Sequence, residues 1–541
     1  MPSASKKISQ LFSFKNVFWA LFYIFLFCLL LNNSFSYLDP DLGWHLKVGK
    51  DIIRDGHVPH LNYYNYTLEG KTWVDHEWLL NVAAYWIYHN LSNIGLNLFF
   101  ALLAVLTLFI VHRSIKDEAG DQSGYVLLTV LFLTMGVIAM SPHLGVRMQE
   151  IGILCLALLY SILSNFEKKR NYRILFWLIP LFYFWASSHA SFLIGLFLLV
   201  FWLGIKIFEK FLAAYFKDSK AVVPFELGSP LTKNQIFIFS GIIVLNALAT
   251  MVTAYGLELY EFLKGYSDTF YMTHITEWLP SWYLPLAYWQ IVFLSFSLAG
   301  IILFFIDKNN RKKKISLWEL SLLVFFMILS FKSKRHFPIF FISAFPLVIK
   351  NYGKIFDLNG KDDFFNFSSK IARPFLIFTF ILICLSLLLR TNFTLDPFKK
   401  FSGDYPYAAV NFLKSHPQYD SLNIFNDYAW GGYLIWAYPQ RKIFIDGRLP
   451  QYPVNGHSFL EEDLKFYSKK NLPGMLDQYN IRLVLIRPKE NEYKFNYWEK
   501  KFFSIKEDGE GGKNELLEFL KSSKNWKQIY DDSVAAIFVR Q

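Results

Sequence analysis

Eleven apolar stretches leave few options for how this chain can fold. They centre on residues 16–31, 92–111, 124–140, 150–164, 173–187, 190–208, 236–254, 290–306, 317–331, 337–350 and 373–389. Most approach the roughly 17–25 residues that a helix needs to cross a bilayer. In lipid, backbone N–H and C=O groups must find partners within their own segment, so such runs are expected as helices. The chain is 54% hydrophobic and 19% aromatic with a mean hydropathy of +0.27, the composition of a polytopic membrane protein. The first run follows a basic stretch, 1–15, and no A-x-A cleavage site comes after it, so it is expected to stay as a membrane helix. Cys28, Cys155 and Cys384 all lie in apolar runs and indicate no disulfide framework. A net charge of +12 would suggest nucleic acid in a soluble chain. Here the cations gather between the apolar runs, so no nucleic-acid partner is expected.

The distribution of those cations orients the chain. With the N-terminus cytoplasmic, the inner loops 1–15, 113–123, 166–173, 206–235, 307–316 and 350–373 hold 24 Lys and Arg. The outer loops 38–92, 141–150, 187–190, 255–289 and 331–337 hold 9 over a slightly greater length. That asymmetry obeys the positive-inside rule. It predicts a cytoplasmic (inner) membrane protein of about eleven helices over 1–390, with long outer loops at 38–92 and 255–289. Beyond residue 390, Pro, Asp, Asn and Gly punctuate short β-rich runs at 443–445, 483–486 and 535–539, and 407–414 and 515–520 read as helices. Residues 391–541 are therefore expected as an extracytoplasmic α/β domain.

The first outer loop opens with Asp39-Pro40-Asp41-Leu42-Gly43-Trp44-His45. A carboxylate at headgroup level can take a proton from a hydroxyl or hold a divalent ion such as Mg or Mn through oxygen ligands. Asp39 and Asp41 are the candidate catalytic or metal-binding acids. Asp41 has a competing reading as the cap of a helix over 42–54, which leaves Asp39 as the better chemical candidate. His45 lies one helical turn beyond Asp41. Gly56 and Pro59 are placed to end that helix. Residues 63–67 read as strand-like, and Asp75-His76-Glu77 leads into an amphipathic helix over 79–91, with His76 and Glu77 as further candidates.

Polar residues also stand where lipid is expected. Arg147 lies at an outer helix end, His189 follows Ser187-Ser188, and Lys332-Ser333-Lys334-Arg335-His336 breaks the positive-inside pattern. Ionisable residues at membrane depth are costly and usually partnered. Arg147, Lys334, Arg335 and His336 suit a phosphate on a lipid carrier, and snorkelling to anionic headgroups is the competing reading. A lone histidine such as His189 is more often a packing residue. The loop 255–289, with Asp268, Glu277 and Trp278, reads either as an interfacial aromatic belt or as a lid.

These motifs resemble those of membrane glycosyltransferases of the GT-C class, most closely a bacterial group with an RgtA/B/C/D-like domain. The pattern D-x-D-x-x-W-H-L matches 39–46, W-V-x-H-E-W-L matches 73–79 and R-x-Q matches 147–149. N-D-Y-x-W-G-G-Y-L-I-W matches 426–436 and I-D-G-R matches 445–448. The region around Asp427 is also similar to the W-W-D-Y-G-Y-W-I segment of oligosaccharyltransferases, and there is a remoter likeness to protein O-mannosyltransferases. Phe425 and Asn426 replace the paired tryptophans, so sequon recognition is not carried over. The resemblance implies transfer of a sugar, with inversion, from a polyprenyl-phosphate donor to a glycan, lipid or protein acceptor of the cell envelope. Asp427, Asp446 and Arg448 would then contact the acceptor; a buried Asp–Arg pair holding a turn is the alternative for the last two. A non-catalytic transporter of lipid-linked saccharide, an assembly subunit, and an oligosaccharide polymerase or ligase remain as alternatives. The acids lie in loops and no repeated halves are visible, which favours the enzyme over the transporter.

Overall fold

A computed structural model describes residues 13–119, 122–216, 224–226, 230–265, 269–283, 285–306, 314–356, 364–366, 372–468, 472–488, 499–501 and 514–541. The basic residues Arg311–Lys313 and Asp268 lie outside the described residues. All eleven apolar runs are helical. In chain order the elements used below are α1 (Phe14–Ser36), α2 (Leu42–Asp55), α3 (Trp78–Ala119), α4 (Ser123–Met140) and α5 (Gln149–Lys169). They continue with α6 (Leu178–Ala186), α7 (Phe192–Tyr215), α8 (Lys233–Met251), α9 (Tyr288–Ile306), α10 (Leu317–Lys332), α11 (Phe337–Ile355) and α12 (Ala372–Arg390). Eight helices among the described residues are long and apolar enough to cross a membrane, whereas 172–186 is apolar but shorter. The protein is a multi-pass α-helical membrane protein.

The chain divides into two compact units. The first gathers Met1–Tyr37, Asn97–Thr253 and Glu277–Phe393. Small residues let its helices approach, as expected where lipid removes the hydrophobic drive between them. Gly136 of α4 packs against the Phe341 ring of α11, Gly353 of α11 against Tyr125 of α4, and Gly300 of α9 lies under Tyr352. Polar bonds add to this: Asn32 of α1 donates to Thr391 Oγ1 (3.1 Å) just beyond α12.

The second unit combines Leu38–Leu96 and Ala254–Thr276 with Thr394–Gln541. The C-terminal segment is thus joined by the first long loop, which the sequence alone did not reveal. Within this unit α2 ends as expected, at Gly56 with φ 73°, whose N–H bonds Ile52 O (2.9 Å). The amphipathic helix expected at 79–91 is the first part of α3, and the break before the apolar run is a kink at Ser92 (φ 57°, ψ −167°).

The C-terminal part contains the helices α13 (Tyr407–Lys414) and α14 (Gly431–Ala437) and the strands β1 (Asn423–Asn426), β2 (Ile481–Ile486), β3 (Trp526–Asp531) and β4 (Ala536–Arg540). These strands form one sheet in the order β1-β2-β4-β3, parallel between β1 and β2 and antiparallel elsewhere. Buried β2 is central, and β3 carries exposed Lys527 and Gln528 at the edge, which discourages further pairing. The run 443–445 is not a strand of this sheet. Its backbone is taken by side chains and by the first loop: Phe444 N–H donates to Asn426 Oδ1 (2.9 Å), Asn426 Nδ2 to Ile445 O (2.9 Å), and Thr67 Oγ1 to Phe444 O (2.6 Å). A single bridge, Asn65 to Ile443, is what remains of strand character there. Phe425, Phe444 and Phe466 pack around it with ring centroids 4.6–5.2 Å apart.

Candidate active site

The acidic motif lies at the start of α2, and its two carboxylates behave differently. Asp39 Oδ1 accepts the Asp41 N–H (2.8 Å), an Asx-type turn that bends the chain into the helix. Asp41 occupies the N-cap position, yet its side chain makes no capping bond. Asp39, expected as the better chemical candidate, does local backbone work, and Asp41, expected as a competing cap, makes no side-chain capping bond.

Glycines from the far end of the sequence close around this turn. A Cβ on Gly432 would collide with Pro40 O, and one on Gly447 would collide with Asp41 Oδ1. A Cβ on Gly43 would lie 2.7 Å from the Gly432 carbonyl carbon and 3.0 Å from Tyr433 Cα. Here glycine serves close backbone approach rather than unusual dihedrals. Gly432 and the glycine of the Asp446-Gly447-Arg448 turn form the seat on which Pro40-Asp41 rests, while Gly431 packs against Ile445 and Asp446.

Behind the motif, His45 leads into a buried chain of polar groups. Its Nδ1 is 2.6 Å from Asn81 Oδ1, and Asn81 Nδ2 lies 3.0 and 2.8 Å from the two oxygens of Asp75. An amide oxygen only accepts, so Nδ1 carries the proton and Nε2 is the lone-pair nitrogen. Burial lowers the His45 pKa to about 3, against the Asn81 bond that favours the charged form. Burial raises Asp75 to about 6, with the Asn81 bond opposing. Glu77 is buried beside them, its carboxylate 3.9 Å from both His45 and His76, and the His76 ring packs on Phe262.

The first unit carries a separate cationic cluster. Arg147, 6% exposed, donates to Glu277 (2.5 Å) and to the Tyr37 hydroxyl (2.8 Å). Arg335, 34% exposed, stacks over Trp278 (4.9 Å) with its guanidinium 3.7 Å from the same carboxylate. Burial pushes the Glu277 pKa up, but Arg147 and then Arg335 outweigh it and hold it at about 2. Lys334 turns inward and donates to the carbonyls of Tyr283 (3.0 Å) and Pro285 (2.6 Å); burial lowers its pKa. Burial, then the Arg335 charge, lowers His336 to about 4. Of the expected phosphate ligands, Arg147 and Arg335 share one carboxylate, while Lys334 ties down a loop.

The remaining expected residues fall into structural settings. His189 Nδ1 accepts the Ser191 N–H (3.1 Å) in a local turn. Asp427 caps a short 3₁₀ turn through Ala429 N–H (2.9 Å) and accepts Arg487 Nε (2.9 Å). Asp446 and Arg448 form a two-point ion pair (2.8 and 2.7 Å) with side chains 0% and 1% exposed, completed by Asn65 and Asn62. They hold the second unit together from within, the alternative reading of that pair. Asn81, Tyr37 and Trp278 were not singled out by sequence reasoning as partners of these charges. Asn81 carried a signal, as a polar residue on the face of α3 that also buries Leu80, Ala84 and Ile87.

Among the described residues no group of three or more His, Cys, Asp or Glu gathers where a metal ion could sit.

No family profile and no curated protein matches the sequence. The fold, however, is shared with solved structures of an oligosaccharyltransferase and an arabinofuranosyltransferase. The Archaeoglobus fulgidus oligosaccharyltransferase tethered to an acceptor peptide aligns with TM-score 0.52 and 12% identity, over 87% of this chain and 68% of that one. The arabinofuranosyltransferase AftD from mycobacteria aligns with TM-score 0.52 and 11% identity, over 96% of this chain and 40% of that one. The A. fulgidus oligosaccharyltransferase AglB in complex with an inhibitory peptide and a dolichol-phosphate gives 0.49 and 11%, over 90% and 70%.

Proposed function

We propose that this protein is a membrane glycosyltransferase. It moves a sugar from a polyprenyl-phosphate donor to an acceptor hydroxyl of a glycan, lipid or protein on the outer face of the inner membrane. The observation that carries the reading is the seating of Asp41: its backbone is fixed by Asp39 and by close glycine contacts, while its carboxylate is not used to cap α2. Asp41 takes the acceptor proton as the acceptor oxygen forms its bond to the anomeric carbon. The bond from that carbon to the phosphate oxygen breaks, its electron pair leaves with the lipid phosphate, and a single displacement inverts the centre. Arg147 and Arg335 hold the phosphate, where negative charge grows as the bond breaks. The shared fold supports the reaction class only by analogy.

The test is turnover of purified protein with a panel of polyprenyl-phosphate sugars. Asp41→Asn should abolish transfer without unfolding the protein. Asp39→Asn keeps an oxygen to accept the Asp41 N–H and should retain most activity, whereas Asp39→Ala should not. Wild-type turnover in Asp41→Asn would refute the assignment.

A further inference from the structure

A cavity of about 270 Å³ opens among α3, α5, α10 and α11. Its place is set by three of these helices. The cluster of Arg147, Glu277 and Arg335 adjoins the N-terminal ends of α5 and α11 and the C-terminal end of α10. The cavity lies at their other ends, reaching Lys168 on α5, Trp318 on α10 and Lys350 on α11. Eighteen residues of α5 separate Glu150 from Lys168, about 27 Å at 1.5 Å per residue, close to the thickness of a hydrocarbon layer.

The lining is graded along the helices. On α5 it runs from Ala157 through Tyr160 and Ser161 to Glu167 and Lys168, and on α11 from Ile342 through Ser343 to Lys350. Apolar groups lie deepest, hydroxyls next, and charges at the rim. Pro346, inside α11, has no N–H for the carbonyl of Ile342 four residues back, and both residues line the space. The rim holds as many carboxylates as ammonium groups, with Lys206 bonded to Glu167 (2.5 Å) and Lys350 to Glu319 (2.7 Å). Ionisable groups at this depth need polar company, and a ligand here must tolerate both signs.

We propose that this cavity binds a zwitterionic phospholipid from the leaflet opposite the arginine cluster. The first methylenes of its chains would lie against Ala157 and Ile342. Its glycerol and phosphate oxygens would meet Ser161, Ser164 and Lys168. Its ammonium group would meet the carboxylates of Glu319 and Glu226. A purely anionic head would bring no cation to Glu226, while Glu319 already shares Lys350. This site is independent of the transfer reaction.

The test uses the full chain, delipidated in detergent and mixed with equal amounts of phosphatidylethanolamine and phosphatidylglycerol, with retained lipid read by native mass spectrometry. Wild type should retain phosphatidylethanolamine about fivefold more, the ratio that roughly 1 kcal/mol of selective bonding gives. Ser161→Phe fills the cavity and should remove that preference. The pair Glu319→Gln with Lys350→Met removes one charge of each sign and should weaken it without changing the net charge of the rim. Thermal melting of each variant shows that it is folded. Equal retention of the two lipids by wild type, a preference for phosphatidylglycerol, or an unchanged preference in folded Ser161→Phe would each overturn the proposal.

Discussion

Replacing Gly43 by alanine puts the seating of the acidic motif to a direct test, because two known effects oppose each other there. Gly43 lies in the first turn of α2, where alanine should favour the helix by about 1 kcal/mol. The new Cβ would lie 2.7 Å from the Gly432 carbonyl carbon. Two carbon atoms prefer about 3.5 Å or more, and the Gly432 carbonyl oxygen is closer still, so α2 and α14 must separate by at least roughly 0.8 Å. Overpacking of this kind costs about 1–3 kcal/mol, which exceeds the propensity gain. The melting temperature should therefore fall, although alanine is the better helix former. The displacement acts two residues from Asp41, and a misplacement near 1 Å can cost about 10²-fold in rate. Turnover should drop by one to two orders of magnitude, on the scale of that estimate. Gly204→Ala in α7 is the control: nothing lies within 4 Å of its Cβ, so it should gain stability and keep its rate. If Gly43→Ala melts higher, as Gly204→Ala should, the close approach is not rigid. If it melts lower but turns over normally, the first turn of α2 does not position the reacting group.

Two further predictions concern charge. The His45 pKa is depressed, so the unfolded state binds more protons from about pH 6.5 down to about 3, and that contribution to stability is lost as pH falls through this window. The Asp75 pKa is raised to about 6, so the folded state binds more protons above the ordinary carboxylate value and its contribution runs the other way, falling as pH rises to 6. The two oppose each other, and Asp75→Asn should steepen the acid-side loss of melting temperature, read from melts between pH 4 and 7; an unchanged slope would mean that the pair does not titrate as argued. In the arginine cluster, Arg335→Ala should weaken binding of a polyprenyl phosphate about tenfold or more, the scale of one charge-assisted bond, with little change in melting, since its ion pair is partly exposed. Lys334→Ala should do the reverse, because it leaves the Tyr283 and Pro285 carbonyls without their donor; matching effects of the two variants would remove the distinction drawn between them.

What the sequence revealed and what it hid follow from how local each signal is. Membrane helices announce themselves over long apolar runs: all eleven runs are largely helical, and eight helices among the described residues are long and apolar enough to cross a membrane. The end of α2 was legible because a glycine with positive φ is a local device. The motifs at 426–436 and 445–448 were visible as patterns, but not their partner. Gly432 and Gly447 owe their identity to Pro40 and Asp41, roughly 400 residues earlier, and sequence spacing carries no trace of such a contact. The run 443–445 misled for a related reason. Its apolar alternation suits a strand, but its hydrogen bonds go to Asn426, Thr67 and Tyr64 instead of a ladder. Which of Asp39 and Asp41 turns an oxygen to a nearby backbone N–H is a matter of local geometry that spacing could not decide.

The exception to the positive-inside pattern is explained by the same kind of detail. Lys334 and Arg335, adjacent in sequence, are put to opposite uses, one turned into backbone carbonyls and the other stacked on an indole at the surface. Without ligand, Glu277 keeps the guanidiniums of Arg147 and Arg335 from standing bare at the edge of a membrane, where uncompensated charge is expensive. Its low pKa means that it does so as an anion throughout the physiological range. An anionic phosphate must then compete with Glu277 for those donors. Arg147 is enclosed and held by both a carboxylate and a tyrosine hydroxyl, so moving it would break two bonds. Arg335 is a third exposed and stands 3.7 Å from its carboxylate, beyond good hydrogen-bond length. Arg335 is therefore the cation that can turn to a substrate at little cost, while Arg147 fixes the position of the carboxylate it would leave.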